Sequence, residues 1–162
     1  MTTHNSLKTP SLNELKRELI NLPPAELVKI CLQLAKHKKE NKELMGYLLF
    51  DSNYEPEYIE KVKLEIDQLF AEINKNTLYF VKKSVRKILR TVNKHIRYSG
   101  LKQTEVELRI YFCIQFRQCG IPLSSSTALT NIFEGQLLKI QKALSGLHED
   151  LQHDYGEEIK RI

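Results

Sequence analysis

The apolar residues between Leu78 and His95 recur at alternating intervals of three and four, which is the period of an α-helix. This pattern predicts an amphipathic helix of about twenty residues that buries one face. Ser99-Gly100 follows and predicts the end of that helix. The predicted buried face consists of Leu78, Val81, Val85, Ile88, Val92 and His95, and it is widened by Leu89 and Ile96.

Helix-start and helix-stop signals also occur near the N-terminus. Ser11 and Glu14 have the spacing of a capping box, in which each side chain satisfies a backbone N–H of the other residue. Pro23-Pro24 ends this first helix and begins a second one. In the second helix one apolar face is predicted to be buried, and it consists of Leu27, Ile30, Cys31 and Leu34.

The middle of the chain predicts two more helices. Residues 36–42 interrupt the apolar pattern, either as the exposed rim of a continuing helix or as a short connection. Apolar residues resume at residues 44–48, and residues 51–56 have the composition of a turn followed by a helix-starting proline. The next helix has an apolar stripe formed by Ile59, Val62, Ile66, Leu69, Phe70 and Ile73.

After Gly100, two further helices are predicted. Thr104 and Glu107 repeat the capping-box spacing, and Gly120-Ile121-Pro122 has the usual order of a helix stop. A serine triplet at residues 124–126 precedes a last long helix whose apolar residues continue to Leu151.

The chain as a whole is predicted to be all-α. Only 6 Gly and 5 Pro occur among 162 residues, too few for the many turns of an all-β fold, and no alternating strand pattern is present. We expect a single-domain bundle of six or seven antiparallel helices over residues 11–162, preceded by a flexible arm at residues 1–10. A short α-solenoid of helix pairs is the alternative architecture.

Composition also bears on the cellular setting. The first ten residues lack the apolar core of a secretory signal, and the longest apolar runs, such as residues 47–50, are far shorter than the roughly 20 residues of a membrane span. The three cysteines, Cys31, Cys113 and Cys119, have no metal-binding spacing and are typical of reduced thiols in a cytoplasmic protein. Cys31 and Cys113 are predicted to be small core residues.

The positive charge of the chain is concentrated in one segment. The net charge is +5, yet the segment from Lys75 to Lys102 has nine Lys or Arg residues and no acidic residue. The remainder has 16 basic residues against all 20 acidic ones. Within residues 82–97, six cations form a row on the helical wheel next to the apolar face. We call this row the basic stripe; it consists of Lys83, Arg86, Lys87, Arg90, Lys94 and Arg97.

The basic stripe has several interpretations. Its cations could bind an acidic protein surface or successive phosphates of a nucleic acid, could cover the helix flank with their stems, or could pair with the acidic run at residues 147–158. A basic amphipathic helix also suits an anionic membrane or a calmodulin-like groove, but both require a free apolar face. Only one ring, Tyr79, shares the basic side, which argues against single-strand binding; Phe80 and Tyr98 lie elsewhere on the wheel.

Signatures of catalysis are absent from the sequence, and no cofactor or catalytic residue is predicted. Glu149 and His153 stand at i, i+4 and could share a metal, but a third ligand from another helix would be needed. His95 is expected to be a hydrogen-bonded residue at the core edge. We therefore expect a non-enzymatic interaction module whose basic stripe meets an unidentified acidic protein or other anion. Nucleic-acid binding and a metal-dependent hydrolase at Glu149 and His153 are the alternatives, and homo-oligomerisation through an apolar helix face stays open.

Overall fold

The structure is a computed structural model that describes residues 8–162, and it confirms the all-α prediction within that range, where no strand occurs. The predicted arm at residues 1–10 lies mostly outside the described residues. The described residues form eight α-helices: α1 (Leu12–Ile20), α2 (Pro24–His37), α3 (Lys39–Gly46), α4 (Glu55–Ala71), α5 (Leu78–Ser99), α6 (Lys102–Gln118), α7 (Thr127–Leu144) and α8 (Glu149–Ile159). A π-helical turn (Tyr47–Asp51) continues α3, and a 3₁₀ turn (Leu123–Ser125) precedes α7.

Internal contacts group the chain into two units, Met1–Gly46 and Tyr47–Ile162. The sequence predicted one helical domain over residues 11–162. The described part of the first unit consists of α1, α2 and α3, and the second unit contains the remaining helices.

Local signals set the helix ends of the first unit. The predicted capping box is present, since Ser11 Oγ accepts from the Glu14 N–H at 3.3 Å and the Glu14 carboxylate accepts from the Ser11 N–H at 2.7 Å. Pro23 and Pro24 separate α1 from α2 as predicted. The interruption at residues 36–42 contains a one-residue break at Lys38, whose backbone is extended.

The predicted buried face of α2 is wrong. Leu27 is half-buried, whereas Ile30, Cys31 and Leu34 are exposed, and no residue of α1, α2 or α3 is buried. Cys31 is therefore not a core residue. The physical reason is that helical period identifies the apolar side of a helix, while burial requires another element packed against that side.

The core of the second unit surrounds α6. This helix packs against α4, α5, α7 and α8, so its apolar residues point in several directions and eight of its residues are buried. Four phenylalanine rings meet at the centre, with neighbouring centroids 5.7–6.3 Å apart, and they belong to Phe70, Phe112, Phe116 and Phe133. Offset aromatic contacts at this separation stabilise a core beyond simple burial of area.

Helix α5 follows the sequence prediction closely. Val81, Val85, Ile88 and Val92 are buried, and Leu78, in the first turn, is exposed. Thr77 Oγ1 accepts from the Phe80 N–H at 3.4 Å and caps the start of the helix. The helix ends at Gly100, whose φ of 69° lies in the left-handed region that glycine adopts without strain.

Two predicted boundaries in the second unit are wrong. Helix α6 begins at Lys102 rather than at Thr104, because the Thr104 hydroxyl is buried and donates to Glu55 Oε1 at 2.6 Å instead of capping the helix. The last long helix is also divided, since α7 ends at Leu144 and α8 begins at Glu149. The break lets α8 pack Tyr155 against α6, where its hydroxyl donates to Glu107 at 2.6 Å.

Candidate anion-binding surface

The packing of α5 determines where the basic stripe lies. The valine and isoleucine side chains of α5 face α4 and α6, so the cations beside them project away from the core. Lys94 is half-buried, and the other five cations, which are Lys83, Arg86, Lys87, Arg90 and Arg97, are exposed. At 1.5 Å per residue the stripe extends about 21 Å along the helix. All six predicted residues therefore lie on one side of one helix.

Few acidic side chains of the fold lie close enough to the basic stripe to neutralise its cations. None of its five exposed cations forms an ion pair with a described residue, whereas Lys94 does have an interaction partner. The acidic helix α8 packs against α6 and α7, and among its described side chains the ion pairs are local, such as Lys160 with Glu157 at 2.5 Å. None of the five exposed cations therefore pairs with the acidic run at residues 147–158 among the described residues.

The membrane and calmodulin-like interpretations require α5 to expose its apolar face. That face is in the core, because Val85 and Val92 are fully buried. None of the described helices is both long and apolar enough to cross a bilayer. In the fold described, α5 therefore offers its cations, and not its apolar side, to a partner.

Two aromatic rings at the start of α5 are accessible. Tyr79 is 65% exposed and Phe80 is 41% exposed, and their rings meet edge to face with centroids 5.4 Å apart. Tyr79 shares the angular position of the stripe on the helical wheel. An accessible ring therefore stands in line with the cations.

His95 occupies the core edge, as predicted. Its Nδ1 lies 2.7 Å from the Tyr58 hydroxyl and its Nε2 lies 2.9 Å from a Glu65 carboxylate oxygen. Burial raises the pKa of Tyr58, so this hydroxyl stays protonated and can donate. The histidine joins α4 to α5 and is satisfied on both ring nitrogens.

A polar cluster around Glu55 was not predicted. The Glu55 carboxylate accepts from the hydroxyls of Tyr47, Ser99 and Thr104, which belong to the π-helical turn, the end of α5 and the start of α6. Sequence reasoning missed this cluster because the three hydroxyl residues lie 8 to 49 positions from Glu55. The three hydroxyls satisfy the carboxylate oxygens by hydrogen bonds, which gives the cluster a structural role.

A second unpredicted feature is the buried Arg109. Its Nε donates to Glu105 Oε1 at 2.8 Å, and its Nη2 lies 2.8 Å from the same oxygen as an ion pair. Its Nη1 donates to Asn93 at 3.0 Å and to Gln136 at 2.7 Å. Beside it, a cavity of about 350 Å³ is lined by Lys102, Glu105, Arg109, Lys139, Lys142 and Ala143. The only available sequence signal was the i, i+4 spacing of Glu105 and Arg109, which is common on helices.

The residues considered for catalysis do not converge. Glu149 and His153 lie on α8 as expected, and both are exposed. Among the described residues, no three His, Cys, Asp or Glu side chains are grouped so that they could hold a metal ion. Cys113 is buried as predicted, and burial raises the pKa of its thiol to about 12, which keeps the unreactive protonated form.

Comparison of the chain with protein-family models, with curated proteins and with solved structures finds no match.

Proposed function

We propose that this protein is a non-enzymatic interaction module that binds an acidic surface of a partner protein through the basic stripe of α5. The observation that carries the proposal is the row of five exposed cations without an ion pair among the described residues. Complementary charge across an interface steers encounter and sets register, and a straight row about 21 Å long suits an acidic helix or strand.

The rest of the surface makes this row unusual for the chain. Several lysines elsewhere pair with glutamates three or four residues away, as Lys29 does with Glu26, Lys61 with Glu57 and Lys63 with Glu60. In the stripe the neighbours at those spacings are cations of the same sign. Like charges at i, i+4 destabilise a helix by about 0.2–0.5 kcal/mol per pair. The arrangement therefore does not stabilise the fold. An anionic partner would replace the repulsion among the cations by attraction to the partner.

Charge reversal with a matched control tests the proposal. The variant Lys83→Glu/Arg86→Glu/Arg90→Glu reverses three exposed cations in the N-terminal part of the stripe. The control variant Lys8→Glu/Lys36→Glu/Lys42→Glu makes the same change in net charge at exposed positions elsewhere. Immobilised protein is incubated with nuclease-treated lysate. We expect the wild type and the control to retain the same acidic proteins and to release them at raised salt, and the stripe variant to retain none.

Equal capture by the stripe variant and the wild type, with both proteins folded by circular dichroism, would remove the stripe from this function. Equal loss in the control variant would attribute capture to net charge rather than to the row.

Nucleic-acid binding is the second candidate, and the exposed Tyr79 ring in line with the cations favours it. Bases stack on such rings, each stack being worth about 1–3 kcal/mol. Titration of labelled single- and double-stranded DNA and RNA at two salt concentrations distinguishes the candidates. Salt-sensitive binding that weakens about tenfold or more in Tyr79→Ala would favour nucleic acid. Absence of binding at low salt would exclude it and leave the acidic protein surface.

A further inference from the structure

The cavity between the N-terminal part of α6 and the C-terminal half of α7 has a positively charged lining. Lys102 and Arg109 come from α6, and Lys139 and Lys142 come from α7. Glu105 supplies the one carboxylate of the lining, and Ala143 supplies an apolar wall. Four cations against one anion leave an excess of positive charge in a concave site, where low-dielectric walls strengthen the field.

Arg109 gives this cavity a rigid positive residue in its wall. The side chain is 95% buried, being 5% exposed, and its donors are held by acceptors on three helices, Asn93 on α5, Glu105 on α6 and Gln136 on α7. Glu105 is paired with Arg109, since one carboxylate oxygen accepts from the Arg109 Nε–H and lies 2.8 Å from Nη2. The guanidinium of Arg109 therefore neutralises the Glu105 carboxylate, and the positive charge of the three lysines has no counter-charge in the lining.

The three lysines of the rim are exposed, and none of them forms an ion pair with a described residue. Lys102 and Lys142 also lie near the C-terminal end of α7, where positive charge is favourable. Lys139 is one turn further from that end, and its position beside the same cavity has no such explanation. Lys102 is the first residue of α6, whose N-cap Leu101 has no side-chain acceptor, so the positive end of this helix adds to the field.

We propose that this cavity binds a small molecule that carries two phosphoryl groups or a diphosphate. Three ammonium groups on two helices suit an anion of about three negative charges with several acceptor oxygens, as phosphoryl groups provide. A volume of about 350 Å³ lies at the lower end of the range for small-molecule pockets. The basic stripe contributes no residue to the lining, so this site is separate from the surface proposed above.

Gly146 offers a way to disturb the site without altering its charge. The Lys102 side chain lies directly across Gly146, and a Cβ added at this glycine would overlap the Lys102 ammonium and crowd the Cδ and Cε atoms. The backbone of Gly146 is not in the left-handed region, so alanine is accepted there without strain. Gly146→Ala therefore displaces the end of one flexible rim lysine and leaves the fold intact.

The test is isothermal titration calorimetry of the full chain with inorganic pyrophosphate, with inorganic phosphate and with a singly phosphorylated peptide. We expect pyrophosphate to bind more tightly than phosphate. Lys139→Gln/Lys142→Gln should weaken pyrophosphate binding at least tenfold, and Gly146→Ala should weaken it severalfold. The matched control Lys36→Gln/Lys42→Gln and the charge-reversed stripe variant should both bind within twofold of the wild type.

Any of four results would overturn the proposal. Pyrophosphate could fail to bind, or the pocket variants could bind it as the wild type does while circular dichroism shows them folded. Equal weakening in the control or stripe variants would show general attraction by net charge. Preference for a singly phosphorylated peptide over pyrophosphate would assign the cavity to a phosphorylated protein. Because the stripe variant is included, failure here is distinct from failure of the proposed function.

Discussion

At the scale of single residues, polar groups in the core and at its edge are satisfied mostly by partners that are remote in sequence. Arg109 is held by residues 4, 16 and 27 positions away, and Glu55 collects three hydroxyls. No buried side-chain nitrogen or oxygen among the described residues lacks a hydrogen-bond partner. An unsatisfied polar group would cost about 1–3 kcal/mol, so these contacts restrict how the second unit can pack.

Tyr111 leads to a prediction about alkaline stability. Burial, followed by the bifurcated hydrogen bond that its hydroxyl donates to the two Asp67 carboxylate oxygens at 2.7 and 2.8 Å, raises its pKa from 10 to about 12. In the unfolded chain this tyrosine loses its proton at lower pH than in the folded protein. The unfolded state therefore binds fewer protons between pH 10 and 12, and stability falls as pH rises through that window. Burial raises the pKa of Tyr58 and Tyr155 in the same direction.

Urea unfolding at pH 8, 10 and 11 measures this effect. Wild-type stability should decline above pH 10, and Tyr111→Phe should show a shallower decline because it removes one of the linked protons. Tyr79→Phe, which changes an exposed ring, is the control and should keep the wild-type slope. A steeper decline in Tyr111→Phe than in the wild type would contradict the assignment.

At the scale of elements, α5 and α6 differ in how readily a sequence pattern reveals them. Helix α5 buries one face and exposes the other, so both its apolar period and the basic stripe can be recognised in the sequence. Helix α6 is surrounded by four helices and buries polar residues such as Thr104 and Arg109, which blurs its period. The wrong start predicted at Thr104 follows from this burial, because the side chain bonds across the core instead of to its own helix.

The helix stop at Gly100 can be tested against a glycine inside a helix. Gly100 has a φ of 69°, so Gly100→Ala should destabilise the protein by about 1 kcal/mol. Gly135 lies within α7, and a Cβ there would meet nothing within 4 Å. Gly135→Ala should therefore stabilise the protein by roughly 0.5–1 kcal/mol. Urea unfolding measures the change in the free energy of unfolding for both variants. A change of the same sign in both would contradict the difference in backbone conformation between the two glycines.

At the scale of the whole molecule, burial is unevenly distributed among the described residues. All buried apolar residues lie at Tyr47 or later, whereas α1 and α2 expose large side chains, among them Leu12, Ile20, Val28 and Leu34. Helices of this length have little stability in water without tertiary packing. The two units should consequently differ in their local free energy of opening.

Limited proteolysis followed by intact mass measurement checks this difference. The first cuts should fall between residues 8 and 46 and leave a resistant fragment that retains α4 to α8. First cuts within α4, α5 or α6 at the same protease concentration would show that the second unit is no more stable than the first.

The sequence by itself determined the helical class, the ends of α1 and α5, the buried face of α5 and the composition of the basic stripe. These features depend on neighbours within one or two helical turns, which is the range over which capping, glycine stops and helical period act. Tertiary structure decided that the apolar face of α2 is exposed, that Thr104 donates a hydrogen bond to Glu55, and that the last helix is divided. It also decided that Lys139 and Lys142 lie across a cavity from Lys102. Each of these depends on which helix packs against which, and residues 30 to 50 positions apart meet only through that packing.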